Sequence, residues 1–191
     1  QRGISRERQE AFAIESHRKA ANAQETGALV SEIVAIQTDE GLVEVDGCIR
    51  ADTDSETLAG LRPAFDENGT VTAGTSSPLT DGVAFVLVCS EDFAERNGLN
   101  PLARIRSTAI SGCDPDVMGI GPVGASRKAL ERAGMELSDI DIVELNEAFS
   151  AQSIAVIEEL ELDADKVNLD GGAIALGHPL GASGARITGK A

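Results

Sequence analysis

The sequence predicts an α/β protein of layered type, on three observations. Apolar runs of strand length alternate with capped helical segments along most of the chain. Glycine and polar clusters fall at the junctions, where a strand would hand over to a helix. Hydrophobic residues make up 42% of the 191 residues, enough to bury a core in one or two domains.

The elements follow in order. Ser5 as an N-cap and Gly27 as a stop bracket a helix over 5–27. Phe12, Ser16, Lys19, Ala20 and Ala23 recur along it at helical spacing, while His17 lies among charged residues and reads as solvated. Residues 32–36 read as a short strand, and 37–62 as an acidic, irregular region that could cap something else. A polar loop begins at Gly69 and leads to 83–89, a continuous apolar run suited to a buried strand, which makes Cys89 a buried, inert thiol. A short capped helix over 90–98, a strand over 102–110 and a helix over 124–134 come next. A strand over 140–145 then meets Asn146, which would open a helix running through 160. Residues 167–169 give one more short strand. It leads into Asn168-Leu-Asp-Gly-Gly-Ala-Ile-Ala-Leu-Gly-His-Pro-Leu-Gly-Ala-Ser-Gly184, where five glycines surround His178.

Composition narrows the function classes. With 16 Lys and Arg against 32 Asp and Glu the net charge is −16, which repels phosphate backbones; there is no Trp or Tyr to stack on bases. Nucleic acid is therefore not an expected partner. The three cysteines, Cys48, Cys89 and Cys113, form no Cys-x-x-Cys pair, so neither a zinc site nor a disulfide framework is expected. A reducing, cytoplasmic setting fits, and no apolar run reaches the length of a membrane span. Residue 1 need not be the native start, so an organellar leader stays open.

Two motifs invite chemistry. Gly119-Ile-Gly-Pro-Val-Gly124 spells a dinucleotide-binding fingerprint and has Glu144 downstream, but no apolar strand precedes it and Pro122 removes an N–H that would face a phosphate. A structural turn into a helix fits it better. The second motif is the glycine run. Glycine density of this kind costs chain entropy and lets a substrate approach the backbone, so the run reads as an active-site loop and not as core. His178, restrained by Pro179, could deprotonate a thiol or hydroxyl, or donate to an oxyanion. Asn146 also follows a strand end, where ligand sites of α/β sheets gather, although an N-cap role is open to it. A nucleophile is missing: Cys48 and Cys113 lie near acids that raise a thiol pKa, and Ser77 and Ser183 sit in no Gly-x-Ser-x-Gly elbow.

Asn146-Glu-Ala-Phe149 followed by Asn168 to Arg186 resembles the thiolase family. So do Gly3-Ile-Ser-Arg-Glu-Arg-Gln-Glu-Ala-Phe-Ala13, Leu61-Arg-Pro-Ala-Phe65, Thr70-Val-Thr-Ala-Gly74 and Asp114-Pro-Asp-Val-Met-Gly-Ile-Gly-Pro-Val123. The resemblance implies part of a layered α-β-α-β-α fold. Residues 1–68 would be a loop region helping to hold coenzyme A, 69–98 the closing strand and helix of the first half, and 99–191 an incomplete second half.

The same resemblance implies an acyltransferase that cleaves 3-ketoacyl-CoA with coenzyme A through an acyl-cysteine, in fatty acid β-oxidation. A biosynthetic acetoacetyl-CoA thiolase, or a non-catalytic relative that binds coenzyme A or lipid, is the alternative. It further implies that His178 activates a cysteine outside this chain, that Asn146 orients a water of the oxyanion hole, and that Arg50, Thr57, Phe65, Ala73, Ser77, Ala148 and Phe149 contact coenzyme A. Pro78 stands where many members have glycine. No metal or redox cofactor is implied, with coenzyme A as substrate. A homo-oligomer, with a β-oxidation multienzyme partner, would be the assembly, and this polypeptide alone would be inactive.

Overall fold

The computed structural model describes residues 2–191, in which helices are the main regular elements. Helix α1, Arg6–Glu25, starts where Ser5 Oγ accepts from the Arg8 N–H at 3.4 Å and stops at Thr26, with Gly27 beyond it at φ +79°. One face of α1 is built of small side chains, and Ala13, Ser16, Ala20 and Ala23 are all buried. That flat face lets the backbone of residues 171–175 come into direct contact with it. A Cβ on Gly171, which sits at φ +80°, would stand 2.7 Å from both the Ser16 carbonyl and the Ala20 methyl.

The glycine run therefore differs from its sequence reading. Residues 171–175 are buried, and the run folds as two helices, α6 (Ala173–Leu176) and α7 (Leu180–Lys190), joined through Gly177, His178 and Pro179. Its glycines serve close packing first. His17 also departs from expectation. It is buried, not solvated, because α1 turns it beneath residues 50–52, where its Nδ1 accepts from the Arg50 N–H at 3.2 Å. Burial, with the nearby Arg50 charge, holds its pKa below the usual histidine value.

Two clusters form the core. Ala13, Leu58 and Ile174 join α1 to helix α2 (Ser55–Ala59) and to α6. Val123, Leu145, Val156 and Val167 join helix α4 (Gly121–Ala133) to helix α5 (Ser150–Leu160) and to the segments around Val143 and Val167, which form a parallel bridge. Helix α4 begins earlier than expected because Pro122 fits a first helical turn, and it ends at Gly134 with φ +65°. Residues 115–120 wind as a 3-10 helix directly into α4. Gly119 and Gly124 pack on Gln152 and Ser111, so the fingerprint-like sequence is a packing turn with no strand before it. Helix α3 (Glu91–Arg96) is capped by Ser90, as its sequence suggests.

The strands differ most. The one ladder among the described residues is a hairpin of β1 (Ile36–Thr38) with β2 (Gly41–Val43). The strand expected over 32–36 is instead a 3-10 turn at Val30–Glu32 followed by β1. Residues 83–89 and 102–110 enter no ladder, and their apolar side chains face outward, with Phe85 92% and Leu102 99% exposed. Cys89 is exposed too. Apolar alternation encodes the tendency to pair, whereas burial needs neighbouring strands that a local pattern does not contain. No helix among the described residues is long and apolar enough to cross a membrane.

A charged group borders α7. Lys190 Nζ bonds Glu32 Oε1 at 2.6 Å and Asp170 Oδ2 at 2.5 Å. Burial pushes the Glu144 carboxyl up to about 7 despite the nearby Arg186 and Lys190 charges. Folding thus favours the protonated acid. The contribution of Glu144 to stability is complete below its ordinary value of 4.5 and declines as pH rises toward about 7. Urea titrations across this window should show that decline, and Glu144→Gln should flatten it.

Gly171→Ala tests the packing of α1 on α6. Overpacking costs ~1–3 kcal/mol and left-handed backbone in a non-glycine residue ~1–2 kcal/mol, so the midpoint in urea should fall by the equivalent of ~2–5 kcal/mol.

Candidate active site

Two junctions meet at the candidate site. The first is 145–149. Leu145 is fixed because its N–H donates to Asn168 Oδ1 and its carbonyl accepts from Asn168 Nδ2, both at 2.8 Å, so one side-chain amide pairs with the backbone as a neighbouring strand would. Asn168 adopts φ +47°, a conformation asparagine tolerates better than most residues. Asn168 Nδ2 also donates to Glu147 Oε1 at 2.8 Å. Glu147 is 2% exposed, and its Oε2 accepts from Ser16 Oγ at 2.6 Å and from the Ile174 N–H at 3.2 Å. Burial raises its pKa, while these donors oppose the rise. Asn146 thus stands between two pinned neighbours. Because α5 starts at Ser150 with Phe149 at the cap position, Asn146 is not an N-cap and its side chain is free for other work.

The second junction is 177–179. Gly177, at φ +87°, packs on Thr80, where a Cβ would lie 2.5 Å from the threonine methyl. The His178 N–H donates to the Pro78 carbonyl at 3.4 Å. The Pro78 carbonyl thereby ties the two segments together. Pro179 then opens α7, and Ser183, in the first turn of that helix, lies under the imidazole with Oγ 2.6 Å from His178 Nδ1.

The two junctions converge: Asn146 Nδ2 lies 3.4 Å from His178 Nε2. Asn146 Oδ1 is buried without a partner among the described residues, a vacant acceptor beside the imidazole. An open groove of about 350 Å³ lies along Pro179 at the start of α7, lined also by Thr80, Asp81, Gly82, Leu180 and Gly181; neither Asn146 nor His178 lines it. An imidazole, an amide and an unfilled acceptor at one spot can move a proton and hold a polarised oxygen.

The residues expected to contact substrate divide into two groups. Ser77, Ala148, Phe149 and Phe65 stand together. Ser77 N–H and Oγ both donate to the Ala148 carbonyl at 3.1 Å, and the Phe65 and Phe149 rings meet edge to face at 5.8 Å. Ser76 and Phe149 form an antiparallel bridge that joins this group to the Asn146 junction. Because the Ser77 hydroxyl proton is engaged, the side chain offers a lone pair outward, so it can accept from an amide N–H. Ala73 opens a 3-10 turn beside Leu58 and Leu61 and is exposed. Arg50 and Thr57 are engaged elsewhere: the Arg50 amide holds His17, Thr57 N–H is capped by Asp54 Oδ1 at 2.8 Å, and neither bonds the Asn146–His178 pair. The Cys48 thiol is pushed up by burial and by Asp46.

Sequence reasoning missed Ser183, Glu147, Ser16 and Asn168. Ser183 was set aside for want of a nucleophile elbow, yet its place in the first turn after Pro179 was available as a signal. The others act across separations of 21 to 156 residues, which no local pattern expresses.

Comparison with known proteins bears on the whole chain. Residues 1–92 match the thiolase N-terminal domain and residues 99–191 the thiolase C-terminal domain. A 3-ketoacyl-CoA thiolase of Marinomonas sp. (strain MWYL1) is 56% identical over 97% of this chain and 50% of its own length. A probable acetyl-CoA acyltransferase of Staphylococcus aureus (strain bovine RF122 / ET3-1) is 53% identical over 98% of this chain and 49% of its own length. Among solved structures, the Bacillus anthracis acetyl-CoA acetyltransferase superposes with TM-score 0.92 at 48% identity, covering 97% of this chain and 48% of that one. Human mitochondrial 3-ketoacyl-CoA thiolase in complex with CoA gives 0.90 at 44%, covering 97% and 47%. The chain spans about half the length of the curated relatives it matches. On its matched domains, its relatives and its fold, this chain belongs to the thiolase family.

Proposed function

We infer that this chain contributes the imidazole and amide of a thiolase active site, in an enzyme that cleaves 3-ketoacyl-CoA with coenzyme A to acetyl-CoA and a shortened acyl-CoA. The observation that carries the reading is the 3.4 Å approach of Asn146 Nδ2 to His178 Nε2, on two junctions 32 residues apart in sequence. His178 takes the proton of a cysteine thiol, whose thiolate attacks the keto carbon; the carbon–carbon bond breaks, and the departing enolate takes up the proton that His178 accepted and leaves as acetyl-CoA. The acyl group then passes from the cysteine to the thiol of a second coenzyme A. Asn146 holds the water that helps bind the thioester oxygen, and its unpartnered Oδ1 supplies the acceptor for one of that water's protons. All steps are acyl and proton transfers and require no metal or redox group.

Phe65 and Phe149 would pack on the adenine or pantetheine, Ser77, Ala148 and Ala73 would line the arm, and Arg50 and Thr57 would meet the phosphate end. Residues 1–68 serve in this reading as the coenzyme A cap, 69–98 as the end of the first half and 99–191 as the second half. A homo-oligomer in the cytoplasm, working beside another β-oxidation enzyme, completes it. The likeness to an enzyme named acetyl-CoA acetyltransferase favours one second reading, the biosynthetic condensation of two acetyl units at the same site.

Thiolysis assays test the proposal. The purified 191-residue chain should show no turnover, since the His178 ring bonds Asn146 and Ser183 and none of the three cysteines, and the Cys48 thiol is pushed up by burial and by Asp46. In the enzyme containing this chain, Asn146→Ala should lower kcat by ~10²–10³ with a smaller change in KM. Undiminished kcat would overturn the assignment.

A further inference from the structure

We propose that Ser183 is a positioning residue that fixes His178 in the Nδ1–H tautomer and thereby leaves Nε2 as the basic atom facing Asn146. The inference extends the reading of His178 as the acting base, but it concerns where one proton sits and not whether thioester is cleaved.

Asn146 presents its Nδ2, which has only hydrogens to offer, to His178 Nε2 at 3.4 Å, so Nε2 must present a lone pair. A neutral imidazole then carries its single proton on Nδ1. Nδ1 faces Ser183 Oγ at 2.6 Å, and with the proton on Nδ1 the serine oxygen is the acceptor. The serine proton has its own acceptor, the Pro179 carbonyl at 3.2 Å. Every proton in the chain Asn146, His178, Ser183, Pro179 has a place, and all run in one direction. Ser183 is buried, and α7 locks it there, because its N–H donates to the same Pro179 carbonyl at 2.9 Å. Water has little access to replace it.

The chemical consequence follows from acid–base logic. A base needs an available lone pair on the side of the incoming proton. Free histidine prefers its proton on Nε2, which would block that side; the serine oxygen reverses the preference. When Nε2 takes a proton, the resulting imidazolium keeps Nδ1–H on Ser183 Oγ, a charge-assisted bond stronger than the neutral one. The ring keeps its place between the two states, and the Asn146 N–H gives up its contact with Nε2 when that atom carries the proton.

The chain contains its own reference. His17 Nδ1 accepts from the Arg50 N–H, so the other histidine must carry its proton on Nε2. Long-range proton–nitrogen correlation spectra of the ¹⁵N-labelled 191-residue chain, recorded above the histidine titration range, separate the two forms. His178→Gln assigns the signals, since the sequence holds only two histidines. The expected result is one ring of each kind: His178 as Nδ1–H and His17 as Nε2–H. Ser183→Ala should lose the Nδ1–H signal of His178 in favour of Nε2–H while His17 is unchanged, and Ser183→Thr, which retains the hydroxyl, should restore it. A wild-type His178 protonated on Nε2, as would follow if the Asn146 amide were turned to present its oxygen, overturns the proposal. So does a Ser183→Ala chain whose His17 signal is intact and whose His178 remains Nδ1–H. Neither outcome depends on turnover, so the thiolase reading stands or falls separately.

Discussion

The buried carboxylate of Glu147 is the constraint on which the site rests. A carboxylate removed from water is costly unless its oxygens are well supplied with donors, and here the donors come from three different parts of the chain. Ser16 brings α1, Asn168 brings the turn before the glycines, and the Ile174 N–H brings the first residues of α6. Ser16 is used twice, since its Oγ also accepts from the Gly172 N–H at 3.1 Å. The glycine at 172 is required for this: a methyl there would occupy the space of the carboxyl group itself. Asn146, next in sequence to Glu147, and His178, at the far end of α6, inherit their separation from this one anchored group.

The helices were largely legible in the sequence. Ser5, Ser90 and Gly134 each act through atoms of the adjoining helix, so the information is local and the reading holds. The pairing of Asn146 with His178 was legible by resemblance and by the rule that ligand sites gather at strand ends. What failed was burial. His17 sits in a run of charged residues that looks solvated, yet the segment at 50–52 covers it, a fact set by residues more than 30 positions away. Cys89 and the apolar runs around it erred in the other direction, because hydrophobicity states a preference and a fold decides whether a neighbour meets it. The glycine run divides: residues 177–179 lie at the candidate site, whereas 171–175 are core.

Site and scaffold share residues in a way that makes them hard to vary separately. Ala148 gives its carbonyl to Ser77, Phe149 caps α5 while meeting Phe65, and Pro179 begins α7 while receiving the protons of Ser183. Much of the polar work is done by main-chain atoms. Their positions are held by close contacts of small residues, so the geometry survives with few charged side chains near the imidazole.

The bare apolar stretches at 83–89 and 102–110 have a colloidal consequence. A chain carrying sixteen surplus negative charges repels its copies at long range, while unpaired stretches of this kind attract at short range. Salt shortens the reach of the repulsion to ~8 Å at physiological ionic strength and leaves the attraction intact. Dispersal of this polypeptide is accordingly a property of its buffer as much as of its fold, and ionic strength sets the point at which stickiness prevails.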